Sequence, residues 1–135
     1  MSARADRPNV VVVLCDQLRA FELGCYGHPV VRTPNMDRLA AEGVRFETAV
    51  TNDPVCTPAR SCLLSGQHSR TCAGALGNDA PDPPSPCRTR LLDPTLPEVL
   101  RGAGYETALI GKWHVPPDPQ LVGFDYALHP IIIHR

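Results

Sequence analysis

Five apolar residues in a row, Val10 to Leu14, interrupt an otherwise polar amino terminus, and four of the five are β-branched. A half-exposed strand would alternate polar and apolar side chains, so the segment from Asn9 to Cys15 predicts a strand buried on both faces. Such strands occur in parallel sheets that are covered by helices. The run is too short for a membrane span or for the core of a signal peptide. An internal strand of an α/β domain is the structure that it favours.

Two helices are predicted after this strand. Thr33 offers an N-cap and Pro34 the first helical position of a helix that Gly43 ends. A second helix is predicted from Pro58 to Leu64, with Gly66 as its stop signal. Both helices are short.

The second half of the chain predicts a loop, a helix and a strand. Prolines are so dense from about 79 to 97 that we expect a long surface loop. Thr95 and Glu98 have the spacing of a capping box for a helix that ends near Gly102, and the segment from Tyr105 to Ile110 predicts another strand. Strand, helix, helix and strand in this order indicate an α/β architecture with at least partly parallel strands.

Composition excludes several classes of protein. The 13 basic and 14 acidic residues are interleaved and give a net charge of -1, so we expect no nucleic-acid partner. No span and no secretory signal is visible, which predicts a cytoplasmic protein with reduced cysteines and no membrane partner. A length of 135 residues suits one domain or a piece of one. The apolar run Ile131-Ile132-Ile133 resembles a core strand cut short, so we expect the chain to be a truncated amino-terminal part.

The most informative residues for chemistry run from Cys56 to Arg60. A proline at the first helical position would place Cys56 just before the helix, where backbone N–H groups and the positive end of the dipole favour an anion. Arg60 lies one turn further on and could reach back to that anion with a forked donor set. For an isolated cysteine the alternative is a buried packing residue.

Three further places carry candidate side chains. Asp16 follows the first strand, where it either binds a metal ion or caps a turn. Lys112 and His114 follow the second strand, where an extended backbone would let them point the same way, although a solvated lysine beside a structural histidine is the alternative. Asn78 is either a substrate contact or a turn residue.

These residues resemble the motifs of the type I sulfatase family. The stretch from Cys56 to Gly66 reads CTPARSCLLSG and is similar to the family signature C-x-P-x-R, and residues 111–114 read GKWH, as in the family. The stretch at 14–19, LCDQLR, is similar to the family's metal-binding segment. The resemblance covers most of residues 8 to 126. It implies an alkaline-phosphatase-like fold, with a mostly parallel sheet flanked by helices, and residues 1–135 as the amino-terminal part of one catalytic domain.

The resemblance also implies roles for the candidate residues. Cys56 would be oxidised to formylglycine by a formylglycine-generating enzyme, and its hydrate would attack a sulfate monoester. Arg60, Lys112 and His114 would be the other catalytic residues. Lys112 would also bind the substrate sulfate.

The implied metal and substrate contacts complete the set. Asn78 would be a second substrate contact. Asp16, Gln17 and the modified Cys56 would bind a divalent cation, calcium or else Mg²⁺ or Mn²⁺, although Gln17 offers only a neutral oxygen.

The implied activity is that of a sulfuric ester hydrolase, arylsulfatase or choline-sulfatase-like, acting on a small sulfate ester. A phosphonate or phosphate ester hydrolase built on the same site is one alternative. A non-catalytic fragment is the other. Calcium takes about six to eight oxygen ligands, more than this chain offers, so we expect the isolated chain to be inactive or nearly so.

Overall fold

The computed structural model describes residues 7–72, 77–78, 84–88 and 90–129. The chain forms two compact units, Met1–Thr48 and Ala49–Arg135. Within the described ranges no helix is long and apolar enough to cross a bilayer. The predicted apolar run at Ile131–Ile133 lies outside these residues.

The described part of the first unit, from residue 7 onward, contains one α-helix. Helix α1, Pro34–Glu42, has Thr33 at its N-cap position and Gly43 at its C-cap, as predicted. Two short 3-10 segments, Ala20–Glu22 and Gly24–Tyr26, precede it. Asp37 ties these parts together, because its Oδ1 accepts hydrogen bonds from the Thr33 hydroxyl at 2.8 Å and from the Cys25 N–H at 2.7 Å.

The predicted strand from Asn9 to Cys15 is wrong for this structure. Residues 8–15 form neither helix nor strand, and the side chains of Val11 and Val13 are 82% and 78% exposed. A strand needs a hydrogen-bonded neighbour. None of the described residues pairs with this run, so its strong β propensity has no sheet to join. The stretch from 44 to 51 likewise contains no paired strand.

The α-helices in the described part of the second unit are α2, Cys56–Ser65, α3, Ser69–Cys72, and α4, Leu96–Gly102. Gly66 ends α2 in the left-handed conformation, as predicted. The capping box of α4 is present, with the Thr95 N–H donating to Glu98 Oε2 at 2.8 Å. The sequence did not predict α3, which has only four residues.

The described residues contain one sheet, with strands β1, Ala108–Ile110, and β2, Tyr126–Leu128. The strands run parallel, with Leu109 opposite Ala127. The sheet and its flanking helices confirm the α/β prediction. Strand β1 forms the last three residues of the predicted strand, whereas β2 was not predicted.

The core of the second unit is small. Its buried apolar residues are Cys72, Leu91, Trp113, Val115 and Val122. The ring of Trp113 meets Phe124 edge to face with 5.8 Å between centroids, and the Trp113 Nε1–H donates to the carbonyl of Pro117 at 2.7 Å. Because Trp113 is 3% exposed, this contact anchors the segment that carries Lys112 and His114.

The proline-rich loop predicted at 79–97 is confirmed only in part. Its described residues up to Thr95 contain no helix or strand apart from an isolated bridge between Ser85 and Pro117, and α4 already begins at Leu96. Arg88, in the described part of this loop, is anchored, because its guanidinium donates to Glu98 and to the carbonyl of Leu121.

Candidate active site

Helix α2 places Cys56 in its first turn. Val55, at the N-cap position, is extended, and its carbonyl accepts the Ala59 N–H at 2.9 Å. Pro58 is therefore the third helical residue and not the first, as the sequence analysis assumed. A proline fits there because the first turn leaves its N–H groups without helical partners. Cys56 is half-buried within the helix and does not precede it.

The predicted anion site at the start of α2 has fewer available N–H groups than expected. Pro58 has none, and the Thr57 N–H donates to Asn78 Oδ1 at 3.1 Å. This hydrogen bond fixes the orientation of the Asn78 amide, so that its Nδ2 end is the donor available for other contacts. The structure thus brings Asn78 next to Cys56.

Lys112 is the cation that reaches Cys56. Its Nζ donates to Cys56 Sγ at 3.5 Å, across 56 residues of sequence. In this contact the sulfur occupies the place that a hydroxyl oxygen would take after oxidation of the side chain. A hydroxyl there would accept a hydrogen bond from the ammonium group.

Arg60 is on the same helical turn and also reaches Lys112. Its Nη1 donates to the backbone carbonyl of Lys112 at 2.8 Å. This guanidinium was predicted to reach back towards an anion, and that role stays a prediction because no described contact tests it. The observed bond ties α2 to the segment that carries Lys112.

That segment is a turn and not an extended strand. Gly111 has φ 105° and His114 has φ 54°, both in the left-handed region. The backbone around Lys112 and His114 is therefore not the extended segment that was predicted, and the shared direction of the two side chains stays a prediction. A left-handed conformation costs a non-glycine residue about 1 kcal/mol or more and is often found at functional sites. His114 is half-buried.

Cys62 provides a useful contrast to Cys56. It packs against the core on the same helix. Burial and the neighbouring Cys72 thiol raise the pKa of Cys62 to about 11. A thiol with so high a pKa is a poor nucleophile, so Cys62 is a packing residue of the helix.

Asp16 and Gln17 lie in the first unit. Both are exposed, and Gln17 has φ 56°. Among the residues that the structure describes, no three His, Cys, Asp or Glu side chains form a group that could hold a metal ion. The described donors do not fit a complete cation site, because calcium requires about six to eight oxygen ligands.

Asp53 contributes to the start of α2 and was not predicted to do so. Asp53 is 8% exposed, and its Oδ1 accepts the Val55 N–H at 3.3 Å. It thus shapes the turn that leads into α2. An aspartate two residues before a backbone N–H is a known turn signal and could have been recognised.

Comparison with known proteins identifies close similarity to one family. The family model for sulfatases matches residues 8–131. The chain is 38% identical over 120 residues to N-acetylglucosamine-6-O-sulfatase of Bacteroides thetaiotaomicron, covering 89% of this chain and 20% of that protein. It is 37% identical over 137 residues to human arylsulfatase D, covering 96% of this chain and 22% of the relative.

Two solved structures share the fold. One is a complex with its substrate D-glucosamine-2-N,6-O-disulfate, with TM-score 0.65 and 38% identity over 78% of this chain and 19% of the other. The second comes from work on the metabolism of multiple glycosaminoglycans by Bacteroides thetaiotaomicron. Its TM-score is 0.70, and it is 32% identical over 81% of this chain and 25% of the other chain. The chain spans about a fifth of the length of the curated relatives that it matches.

Proposed function

The chain belongs to the sulfatase family, and from this membership we propose that it is part of a sulfuric ester hydrolase, arylsulfatase or choline-sulfatase-like, whose Cys56 is oxidised to formylglycine. The observation that supports this proposal most directly is the 3.5 Å contact between Lys112 Nζ and Cys56 Sγ. It places a cation beside the one side chain that the family signature marks for oxidation. As a hydrate, the modified side chain would supply the hydroxyl that attacks sulfur and a second hydroxyl that allows sulfate to leave.

The residues around Cys56 bind and orient the sulfate group. Lys112 donates to the nucleophilic position, and its ammonium group would offset the negative charge of a sulfate oxygen as the ester bond breaks. A cation fixed in place before the reaction stabilises this charge more effectively than mobile water does.

His114 would act as the general base. After the alcohol has left, His114 would remove a proton from the second hydroxyl of the hydrate. The bond between the hydrate carbon of residue 56 and the sulfate oxygen then breaks, which releases sulfate and restores the aldehyde. Water then need not attack sulfur. The left-handed backbone of His114 is the observation that favours a functional role for this residue.

A divalent cation stays a proposal of the same kind. Asp16 and Gln17 would supply some of its oxygen ligands, and calcium is the expected ion. The remaining ligands would have to come from residues outside the described set. We therefore expect the 135-residue chain to bind calcium weakly, which a calorimetric titration would measure. Nanomolar binding by this chain would contradict the proposal.

The comparisons favour a sulfate ester over a phosphonate or phosphate ester, because the similar curated proteins are named as sulfatases. A sulfated sugar is the substrate of one structural neighbour. A small sulfate ester is accordingly the substrate class that we propose. Because the chain corresponds to about a fifth of these relatives, we expect it to hydrolyse little or no aryl sulfate alone, and turnover comparable to that of a full-length sulfatase would show this wrong.

The proposal is tested by the chemical state of Cys56. The chain is produced together with a formylglycine-generating enzyme and digested with trypsin, and the mass of the peptide from Phe46 to Arg60 is measured. We expect the loss of mass that accompanies conversion of a CH₂SH group to an aldehyde. The peptide from Ser61 to Arg70 contains Cys62 and is the internal control, because its thiol should remain intact. An unmodified Cys56 would favour the non-catalytic alternative.

A further inference from the structure

We propose that Asn78 is a positioning residue that caps helix α2 from a distant part of the chain and thereby holds the backbone of Cys56 in place. The proposal starts from a deficit at the start of α2. The N-cap residue is Val55, whose side chain has no hydrogen-bonding atom, and helix α2 has no side-chain cap of its own.

The first turn of α2 contains an N–H group that needs an acceptor from outside the helix. Pro58 carries none, and the Ala59 N–H already donates to the Val55 carbonyl at 2.9 Å. The Thr57 N–H therefore stands out, because Thr57 is 0% exposed and its N–H needs an acceptor within the protein.

Asn78 provides that acceptor. Its Oδ1 lies 3.1 Å from Thr57 N, although the two residues are 21 positions apart. In an ordinary helix the N-cap side chain makes this bond to the second or third helical N–H. Here a residue outside the helix makes the same bond to the second helical residue.

Among the residues that the structure describes, Asn78 alone is seen to accept the Thr57 N–H. The Thr57 hydroxyl is also buried and has no hydrogen-bond partner among these residues, so the described surroundings of Thr57 are poor in acceptors. Removal of the Asn78 oxygen should therefore leave the Thr57 N–H buried and unsatisfied, next to Cys56 in the sequence.

The capping role of Asn78 depends on the proposed function in one respect only, namely that Cys56 is the reactive residue which the cap holds in place. It is compatible with the predicted substrate contact of Asn78, because capping uses Oδ1 and leaves Nδ2 as a donor. The two roles can be separated by substitution. Asn78→Asp keeps the accepting oxygen and loses the amide donor, whereas Asn78→Leu keeps the size and loses both.

The test measures hydrogen exchange at the Thr57 amide by NMR in the 135-residue chain. In Asn78→Leu we expect exchange about tenfold faster than in the wild type, since loss of one capping bond typically changes stability by about 1.4 kcal/mol or a factor of ten. In Asn78→Asp the amide should exchange no faster than in the wild type, because a carboxylate accepts the same bond and suits the positive end of the helix. The matched control is Asn35→Leu, at an exposed position of α1.

A second measurement reports on Cys56 itself. The rate of its alkylation by iodoacetamide should rise several-fold in Asn78→Leu, because the first turn frays, and should not rise in Asn78→Asp or Asn35→Leu. Thr57 exchange that is unchanged in Asn78→Leu would overturn the proposal. So would accelerated exchange in a folded Asn78→Asp, which remains decisive if the leucine variant does not fold. Neither measurement requires formylglycine or hydrolysis, so failure here is distinct from failure of the proposed function.

Discussion

Replacing Glu98 by glutamine should destabilise the second unit by about 2 kcal/mol. The Glu98 carboxylate accepts hydrogen bonds from the Thr95 N–H at 2.8 Å and from Arg88 Nη2 at 3.0 Å, and Arg88 Nη1 also contacts it. Loss of a capping bond costs about 1 kcal/mol. A charge-assisted pair contributes about 1.5 kcal/mol when partly buried, and these side chains are only 22% and 29% exposed. Because glutamine keeps one accepting oxygen, we expect about 2 kcal/mol in total.

The measurement is urea unfolding followed by the fluorescence of Trp113, the single tryptophan of the chain, which is buried in the same unit. A denaturant slope of about 2 kcal/mol per M turns the expected loss into a midpoint lower by about 1 M. The matched control is Glu106→Gln, at an exposed glutamate of the same unit. If Glu98→Gln moves the midpoint no more than this control does, the network around Arg88 has no net effect and the reasoning fails.

The ion pair between Glu98 and Arg88 also predicts how the stability of the second unit depends on pH. Hydrogen bonds from Arg88 and Thr95 lower the pKa of Glu98 below its usual 4.5. A carboxylate whose pKa is lower in the folded than in the unfolded protein stabilises the fold fully at pH values above its pKa in the unfolded state. That stabilisation is lost as the pH falls through its pKa in the folded state. The midpoint difference between the wild type and Glu98→Gln should thus be constant above pH 4.5 and shrink below it. A difference that grows as the pH falls would contradict the assignment.

Three further outcomes are expected. Gly123→Ala should cost about 3 kcal/mol or more, measured by urea unfolding, because Gly123 has φ 101° and an added Cβ would lie 2.5 Å from the backbone of α4; a loss below 1 kcal/mol would be inconsistent with this geometry. Arg60→Lys should weaken sulfate binding about tenfold, followed by NMR of the Lys112 amine, since a lysine lacks the planar guanidinium whose Nη1 donates to the Lys112 carbonyl. Equal affinity in the variant would argue that this hydrogen bond does not position Lys112. Cys62 should be alkylated at pH 8 about a hundredfold more slowly than Cys87, because its pKa is raised to about 11; equal rates would rule this out.

Local signals were enough to predict several elements. The C-cap at Gly66 and the capping box at Thr95 and Glu98 involve residues only a few positions apart, so their sequence patterns determine where α2 ends and α4 begins. The strands were harder. Strand β2 has three residues, and its place depends on Asp125, which accepts hydrogen bonds from Thr107 across 18 positions. No periodicity within a short segment reports such a contact.

The candidate site shows the same division. The motif around Cys56 drew attention to a segment that contacts Lys112 in the structure, but the hydrogen bond from Arg60 to Lys112 joins residues 52 positions apart. The capping bond from Asn78 likewise depends on tertiary structure. Sequence patterns therefore predict which residue types assemble, whereas the contacts of each side chain follow from packing that a pattern does not contain.

The exposed run from Val10 to Leu14 has a practical consequence for work with this chain. It combines high β propensity with high hydrophobicity and contains no charge and no proline. Segments of this composition that lack a sheet of their own add to the strands of other molecules and initiate aggregates. Preparations of the chain should be kept cold and at low protein concentration, and a lysine in place of Val11, which is 82% exposed, would act as a gatekeeper against fibril growth.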